Sequence, residues 1–324
     1  MEVEEQPGAP APRWSARLHV VTGKGGVGKT SVAAALALAL ASGGRRVLLA
    51  EVEGRQGIAQ LFEISPLPYE ERTIAHTDDG GEVRALAIDP EEALLEYLDM
   101  FYKLGAAGRA LRKFGAIDFA TTIAPGLRDV LLTGKVKEAT TRTDNGRPVY
   151  DAVILDAPPT GRIGRFLNVT AETARLAKVG PIKSQSEGVA SLLRSSLTAV
   201  HVVTLLEEMP VQETRDAIAE LTDLGIPIGN VIVNATREPL AAAGRVTQAE
   251  LRRGLAAVGL PTDQATVDGL YAEVQAHHQR LALEDELRKE LLTLNRPLVE
   301  LPLLPGGVDR TSVRTLAAAL RGAN

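Results

Sequence analysis

Residues 17–54 read RLHVVTGKGGVGKTSVAAALALALASGGRRVLLAEVEG, and this stretch decides the fold. An apolar run typical of a buried strand leads into a glycine-rich turn, and a helical segment rich in alanine and leucine precedes a second apolar run. The motif G-x-x-x-x-G-K-[ST] is met, in the strand–loop–helix context that it requires, by Gly23, Gly28, Lys29 and Thr30. The stretch therefore predicts a phosphate-binding loop.

The predicted loop binds phosphate mainly through its backbone. Glycines reach dihedral angles that are closed to other residues, so several amide N–H groups can surround one anion. The following helix directs its N-terminal partial positive charge at the same anion. We expect Lys29 to contact the β- and γ-phosphates of a nucleotide and the Thr30 hydroxyl to bind Mg²⁺. The predicted nucleotide contacts are Gly23, Gly25, Gly26, Val27, Gly28, Lys29, Thr30 and Ser31.

Short aliphatic runs alternate with helical patterns along the rest of the chain, which is typical of βαβ units and a parallel sheet. We therefore predict an α/β fold with a doubly wound, mostly parallel sheet, forming one domain over residues 16–324 after a disordered tail over residues 1–15. Helical insertions at about 90–140 and 239–295 interrupt the alternation and are expected to form a helical subdomain. Strands are expected at Leu18–Thr22, Val47–Val52, Val83–Ile88, Ala152–Asp156, Val200–Leu205, Val231–Asn234 and Leu298–Pro302.

The first insertion carries an apolar stripe with helical spacing, made by Leu94, Leu95, Leu98, Phe101 and Leu104. Such a face either packs against the core or against a second subunit of a dimer, or it forms a surface that binds a client or partner. The sequence leaves both interpretations open.

Composition excludes several classes of function. The net charge of −5 argues against a nucleic-acid binder, which normally shows a basic domain or stripe. The absence of cysteine excludes disulfides, an iron–sulfur cluster and a thiolate zinc site. No run reaches the ~18 apolar residues of a membrane span, and residues 1–14 lack the features of a signal peptide. We therefore expect a cytoplasmic protein. The adjacent His277 and His278 lie in a polar helical pattern, which favours a solvated face over a metal site.

A second candidate site residue ends an apolar strand. Asp156 follows residues 150–155, and the rigid turn APPTG follows it over residues 157–161. An acidic residue in this position, beside a phosphate loop, commonly holds Mg²⁺ through water. A helix N-cap is the alternative role for Asp156.

Lys24, one residue after the first glycine of the motif, resembles the second lysine of the deviant Walker-A class, which includes ParA, MinD, nitrogenase iron proteins and the ArsA-like ATPases. The resemblance implies a sandwich dimer in which Lys24 crosses the interface to phosphates held by the other subunit. Such a lysine adds positive charge to the transferring phosphoryl group only in the closed dimer, which ties hydrolysis to one conformational state. A surface lysine on a loop is the alternative.

The segment LDAPPTGRIGRFL over residues 155–167 closely resembles the second switch of the ArsA and tail-anchored-protein-targeting ATPases, commonly DTAPTGHTLRFL. Further stretches resemble this family over nearly the whole chain: VRALAIDPEEAL (83–94), APGLRDVL (124–131), LLEEMPVQET (205–214), LGIPIGNVIVN (224–234) and LPLLPGGV (301–308). The nearest resemblance is to the ArsA-like ATPases of actinobacteria, which occur as paired paralogues. It implies adenine contacts from Asn234, Pro302, Leu303 and Pro305.

The sequence also departs from the family pattern. Where the first switch normally reads DPAH, with an aspartate that orients the attacking water, this chain has Glu53, and Arg162 replaces the usual histidine of the second switch. Because a misplacement near 1 Å can cost about 10²-fold in rate, Glu53 either orients the water or marks a weakly active switch. Arg55 and Arg162 are candidates for phosphate or subunit contacts, or for surface ion pairs. Without cysteine, neither the zinc clasp of the eukaryotic targeting factor nor the metalloid site of the arsenite pumps can form.

The sequence thus predicts an ATPase that binds ATP and Mg²⁺ as a dimer, with Lys24, Lys29 and Glu53 as catalytic residues. Hydrolysis would be coupled to a protein client or a membrane partner. One alternative is a weakly hydrolysing regulatory subunit of a heterodimer with a paralogous ATPase. Another is a positioning ATPase resembling ParA or MinD, for which the basic group around Arg109 and the short C-terminus offer little support.

Overall fold

The computed structural model describes residues 14–52, 54–102, 125–169, 181–237 and 246–322. The strands are β1 (Leu18–Gly23), β2 (Arg46–Glu51), β3 (Arg72–His76), β4 (Glu82–Ala87), β5 (Thr143–Asp144), β6 (Arg147–Pro148), β7 (Ala152–Asp156), β8 (Thr198–Thr204), β9 (Ile228–Thr236) and β10 (Leu298–Pro302). The helices are α1 (Lys29–Ala41), α2 (Gly57–Leu61), α3 (Pro90–Tyr102), α4 (Pro125–Thr141), α5 (Thr160–Leu167), α6 (Pro181–Leu193), α7 (Glu208–Asp223), α8 (Gln248–Ala257), α9 (Gln264–Leu292) and α10 (Ser312–Gly322).

One sheet organises the molecule, with the strand order β10-β9-β8-β1-β7-β2-β4-β3. Every neighbouring pair is parallel except β3 and β4, which are antiparallel. Helices cover both faces, so the predicted doubly wound, mostly parallel α/β fold is confirmed. Strands covered on both faces are largely apolar, and β1 and β7 are buried along their whole length, including the polar His19 and Thr22.

The position of β1 determines where a ligand can bind. Its neighbours are β7 on one side and β8 on the other, and the chain leaves β1 toward β2 before it returns to the opposite half of the sheet. In open α/β sheets, the crevice at the carboxyl ends of the strands where the winding reverses is the usual ligand site. The glycine loop that follows β1 lies at this point.

Two apolar layers enclose the sheet. On one face, α1 and α10 pack against the strands, and every residue of α1 from Val32 to Ala41 is buried. On the other face, α4, α5 and α6 contribute Leu132, Phe166 and Leu193 to a second core. Burial of side chains of this size stabilises by roughly 1.5–3 kcal/mol each. Since α1 is surrounded by core, the loop that precedes it rests on an immobile base.

The expected strands form at the predicted places, within about two residues of their bounds except at the start of β9, three residues early. Edge strand β3 and the short hairpin β5–β6 were not predicted. β3 reads RTIAH, and only Ile74 in it is buried. A strand at the sheet edge with so little buried surface contains no apolar run from which it could be predicted.

The helical insertions are helical where the structure describes them. In the first, Ala93, Leu94 and Tyr97 of α3 form a small cluster with Leu131 of α4, so this part of the apolar stripe packs within the chain. The predictions for residues 1–13, 103–124 and 239–245 lie outside the described residues. In the ranges that are described, we find no helix that combines the length and the apolar character needed to cross a membrane.

A buried histidine pair joins β1 to β8. The backbone N–H of Asn230 donates to His201 Nδ1 at 3.0 Å, so that nitrogen carries no proton. His201 Nε2–H therefore donates to His19 Nδ1 at 2.9 Å, and His19 Nε2–H donates to the carbonyl of Ala16 at 2.9 Å. Burial lowers the pKa of His19 to about 4 and the pKa of His201 well below its ordinary value. Both rings are neutral in the folded protein.

This pair predicts a loss of stability in mild acid. When a histidine has a lower pKa in the folded than in the unfolded protein, its contribution to the free energy of unfolding is complete at a pH above the unfolded-state pKa. This contribution is lost as the pH falls toward the folded-state pKa. For His19, the interval from the ordinary 6.5 to about 4 corresponds to a loss of roughly 3 kcal/mol. We expect the free energy of unfolding in urea to decrease steadily as the pH is lowered from about 6.5 to 4.5. Fluorescence of Trp14, whose ring centroid lies 5.1 Å from that of His201, reports the transition.

Two variants make this measurement specific. His19→Gln combined with His201→Gln should flatten the pH dependence, even though the lost hydrogen bonds lower the stability at neutral pH. His76→Gln, at an exposed histidine on β3, should leave the dependence unchanged. A wild-type stability that is constant over this interval would contradict the neutral pair.

Candidate ATP site

The loop between β1 and α1 has the conformation that a phosphate loop requires. α1 begins at Lys29, and its N-cap, Gly28, has φ 90° and ψ 27°, in the left-handed region. A Cβ atom at Gly28 would lie 2.4 Å from Asn234 Nδ2, so a larger residue would have to displace that side chain in addition to adopting the strained positive φ. A Cβ atom at Gly23 would lie 2.2 Å from the carbonyl oxygen of Val203 on β8. The spacing of the two motif glycines is therefore explained by two close approaches of neighbouring strands.

Asn234, near the end of β9, contacts the loop directly. Its Nδ2 donates to the carbonyl of Val27 at 2.9 Å. Next to it in the sheet, the N–H of Leu303 donates to the carbonyl of Thr236 at 2.8 Å, which joins the end of β10 to the end of β9. The sequence-predicted adenine-side residues Asn234, Pro302 and Leu303 thus lie on adjacent strand ends, and Pro305 follows in an exposed turn.

Lys29, Thr30 and Asp156 meet at the start of α1. Lys29 Nζ donates to the carbonyl of Lys24 at 3.1 Å, so its side chain folds back over the loop. The Thr30 hydroxyl donates to Asp156 Oδ2 at 2.6 Å, across to the end of β7. These are the two residues that the sequence predicts as magnesium ligands. A hydroxyl and a carboxylate are hard oxygen donors of the kind that Mg²⁺ prefers, and phosphate and water normally complete its shell. The pair fits a magnesium site.

The turn after β7 is fastened to β1. The N–H of Ala157 donates to the carbonyl of Val21 at 2.9 Å, and the hydroxyl of Thr22 donates to the carbonyl of Pro158 at 2.7 Å. Helix α5 then begins at Thr160. The second switch segment therefore starts from a fixed position beside the phosphate loop.

A buried carboxylate that the sequence analysis did not single out holds the first switch loop. Glu51, at the end of β2 and 3% exposed, accepts the N–H of Gln56 at 2.5 Å and the N–H of Ile58 at 3.1 Å. Glu51 is also the register neighbour of Asp156. The loop reaches the nucleotide side of α1, since a Cβ atom at Gly57 would lie 3.2 Å from Thr30 Cγ2. An acidic residue inside the run VLLAEV was the available signal.

Glu53, the predicted water-orienting residue, lies outside the described residues. Its flanking residues do not, and they show that the loop leaves β2 and returns to Thr30 under the control of Glu51. Gln56 adds a second tie, because its side-chain oxygen accepts the N–H of Leu67 at 2.6 Å and its Nε2 donates to the carbonyl of the same residue at 3.2 Å. The described residues after Glu53 are thus held by Glu51 and by Leu67.

Lys24 points away from the phosphate loop of its own chain. Its Nζ donates to Glu213 Oε1 on α7 at 2.6 Å, and Glu213 Oε2 accepts the hydroxyl of Thr160 at 2.9 Å. One carboxylate therefore bridges the phosphate loop to the start of α5. The hydrogen bond from Lys24 is the largest cause that lowers the pKa of Glu213, and the hydrogen bond from Thr160 acts in the same direction. Glu213 was not predicted from the sequence.

Together these contacts define a P-loop ATPase: a glycine loop between a parallel strand and a helix, with a lysine, a hydroxyl and a carboxylate at its mouth. Residues 16–194 match the family described as anion-transporting ATPase. The chain is similar to ATPase BagA of Mycobacterium tuberculosis, with 56% identity over 313 residues that cover 94% of this chain and 92% of the relative.

Two more distant relatives extend the comparison. An arsenical pump-driving ATPase of Acidiphilium multivorum is 27% identical over 314 residues, 92% of this chain and 48% of the relative. ATPase GET3 of Kluyveromyces lactis is 26% identical over 249 residues, 66% of this chain and 70% of the relative. The chain belongs to the anion-transporting, or ArsA-like, ATPase family, which confirms the resemblance found in the sequence, and it is an ATPase.

The Glu51 contacts predict a coupled loss of stability and rate. Glu51→Ala leaves two backbone N–H groups without an acceptor, which lowers the free energy of unfolding by about 2–4 kcal/mol. It also loosens the loop that carries Glu53, and we expect ATP turnover to fall by roughly 10- to 100-fold. Urea unfolding and steady-state phosphate release measure the two effects.

Two comparisons isolate the role of Glu51. Glu51→Gln keeps one acceptor oxygen and should lie between the wild type and Glu51→Ala in both measurements. Gln60→Ala, at an exposed position of α2 in the same segment, should change neither. A turnover that stays at the wild-type level in Glu51→Ala would show that the loop needs no such tie.

Proposed function

We propose that this ATPase is a Mg²⁺-dependent switch that works as a dimer and passes its nucleotide state to a protein client or a membrane partner. The ion pair of Lys24 with Glu213 is the observation that carries the proposal. A lysine dedicated to its own phosphate loop would point into that loop, as Lys29 does. Lys24 instead extends to α7 and is about one-third exposed, as is appropriate for a side chain that serves a second subunit.

The dimer would complete the catalytic site. The resemblance to the deviant Walker-A class supports Lys24 as the residue that reaches phosphates held by the other subunit. Lys24 and Thr160 bind the two oxygens of Glu213, and we propose that withdrawal of the lysine lets Glu213 move together with the start of α5. Dimer closure and movement of the second switch are then one event, and hydrolysis is confined to the closed state.

Within each subunit, the described residues prepare the triphosphate for attack. The loop amides and Lys29 would hold the β- and γ-phosphates, while the Thr30 hydroxyl and the Asp156 carboxylate would hold Mg²⁺. Mg²⁺, when bound, neutralises charge on the phosphate oxygens. We assign orientation of the attacking water to Glu53 and adenine contacts to Asn234, Pro302, Leu303 and Pro305, on the basis of the family resemblance.

Glu53 favours a second candidate function. Its side chain is one methylene longer than the aspartate usual at this position, and rate depends steeply on the position of the attacking water. If Glu53 positions the water poorly, the chain would be a weakly hydrolysing regulatory subunit. It would then pair with a paralogous ATPase that supplies the aspartate. Full turnover by the isolated chain, abolished by Glu53→Gln, would argue for the switch ATPase and against the regulatory subunit.

The partner chemistry is constrained by composition. A homodimer and a heterodimer with a paralogue both fit a Lys24 side chain that is about one-third exposed. With no cysteine in the chain, a thiolate zinc clasp or arsenite site is not part of the proposal. Nucleic acid is not proposed as a partner, given the net charge of −5. We propose a cytoplasmic location, with the client or membrane partner contacting the helical insertion at about 90–140.

The first test is nucleotide-dependent assembly. With Mg²⁺ and a non-hydrolysable ATP analogue, we expect the mass in solution to double, and with ATP we expect Mg²⁺-dependent release of phosphate. Lys29→Ala should lose both assembly and phosphate release, because it removes the positive charge that contacts the γ-phosphate. Thr30→Val, which removes the hydroxyl and keeps the shape, should raise the Mg²⁺ concentration needed for half-maximal turnover by about tenfold.

The paralogous neighbour is co-expressed in a parallel sample to separate homodimer from heterodimer. A chain that stays monomeric and releases no phosphate in either sample, with Lys29→Ala indistinguishable from the wild type, would contradict the proposal.

A second test concerns the bridge at Glu213. Dimerisation would break the ion pair of Lys24 with Glu213, and a pair of this exposure contributes about 0.2–1 kcal/mol. Glu213→Gln removes this cost. We therefore expect it to strengthen nucleotide-dependent dimerisation by at most about fivefold. Analytical ultracentrifugation at several protein concentrations measures the dimer dissociation constant. Glu208→Gln, at an exposed position on the same helix, is the matched control and should change nothing.

Lys24→Ala should retain nucleotide binding and lose turnover in the same samples. Weaker dimerisation in Glu213→Gln would mean that Glu213 holds Lys24 in its working position, and would contradict the bridge as a resting contact.

A further inference from the structure

A cavity of about 180 Å³ lies beside the two switch segments, and the side chains of three arginines line it. Arg55 comes from the loop after β2, Arg128 from the first turn of α4, and Arg162 from the first turn of α5. These positions are far apart in the chain, and the fold brings them to one opening. Within the part of the chain that the structure describes, no carboxylate lines this cavity.

The surroundings favour the binding of an oxyanion. The cavity wall includes Val52, Leu132 and Phe166, each at most 2% exposed, so apolar core forms one side of an opening whose three arginines are themselves exposed. Attraction between charges is stronger beside such a wall than in bulk water. Guanidinium groups donate paired N–H bonds that match the oxygens of phosphate. Arg162 also has a carboxylate nearby, because Oδ1 of the buried Asp129 lies 3.8 Å from its Nη2, and an anion in the cavity would share this guanidinium with Asp129.

The cavity is bounded by the segments that surround the end of the triphosphate. Val52 directly follows Glu51, the register neighbour of the magnesium-site Asp156. Pro158, which also lines the cavity, is two residues beyond Asp156, and its carbonyl accepts the Thr22 hydroxyl of β1. The cavity therefore adjoins the residues that follow β2 and β7, the two strands whose ends lie beside the phosphate loop.

We propose that this cavity is a second anion site, which takes a tetrahedral oxyanion and receives the inorganic phosphate released by hydrolysis. The inference rests on the proposed function for the source of the phosphate, and on the arginine-lined cavity for the site itself. The site is separate from the phosphate loop, because none of its lining residues belongs to residues 23–30.

Binding of inorganic phosphate to protein saturated with Mg²⁺ and ADP tests the site. Isothermal titration at constant ionic strength, with chloride as the replacing anion, should give one phosphate per chain. We expect Arg128→Gln to weaken phosphate binding about three- to tenfold and the triple variant Arg55→Gln/Arg128→Gln/Arg162→Gln to weaken it at least thirtyfold. Arg165→Gln, on α5 but outside the cavity lining, is the matched control and should bind phosphate as the wild type does.

Affinity for Mg²⁺ and ADP is measured in each variant and should remain unchanged, since none of these arginines belongs to the phosphate loop. The single variant Arg128→Gln keeps the test valid if the triple variant does not fold. Phosphate inhibition of ATP turnover should weaken in parallel with phosphate binding.

Several results would overturn the inference. They are an absence of phosphate binding in the wild type, a dissociation constant unaffected by the triple variant, or an equal loss in Arg165→Gln. A triple variant that binds phosphate normally and fails to dimerise would assign the arginines to a partner's carboxylates instead. ATP turnover without arginine-dependent phosphate binding would contradict the anion site and leave the proposed function intact. Arginine-dependent phosphate binding without turnover would defeat the proposed function and leave the anion site standing.

Discussion

The structure depends on one short segment, residues 23–30, which joins β1 to α1 through left-handed backbone conformations at Gly26 and Gly28. Two neighbouring strands maintain this shape. The backbone of β8 approaches Gly23 and the side chain of Asn234 on β9 approaches Gly28, so both ends of the loop are packed against the same half of the sheet. The complete burial of Val32–Ala41 fixes the helix that supplies the positive end of the dipole.

Each remaining part of the site is tied to this loop by a specific contact. Thr30 reaches Asp156 at the end of β7, and Lys24 reaches Glu213 on α7. Glu51 controls the first switch segment, and Glu213 connects the phosphate loop to the second. A triphosphate that competes for these donors would disturb both switch segments at once, which gives a physical route from nucleotide state to conformation.

The sequence predicted those parts of the site that a short contiguous motif determines. The glycine spacing, the lysine and the hydroxyl of the phosphate loop follow from a contiguous motif, and Asp156 follows from an acidic residue at the end of an apolar strand. Glu213 and the His19–His201 pair could not be predicted in this way, because their partners are 189 and 182 residues away in the chain. Only the strand order, which brings β8 beside β1 and α7 beside the loop, creates those contacts. β3 escaped prediction for a different reason, since an edge strand with one buried residue has almost no hydrophobic signal.

Hydrogen exchange of the amides of residues 25–31, with and without Mg²⁺ and a non-hydrolysable ATP analogue, tests the central claim most directly. These N–H groups are the proposed ligands of the phosphates, so they should exchange far more slowly with the nucleotide bound. Lys29→Ala should lose this protection, while the buried strand β7 should exchange slowly in every sample. Nucleotide binding that left the amides of this loop unprotected, or protected a different segment instead, would contradict the account.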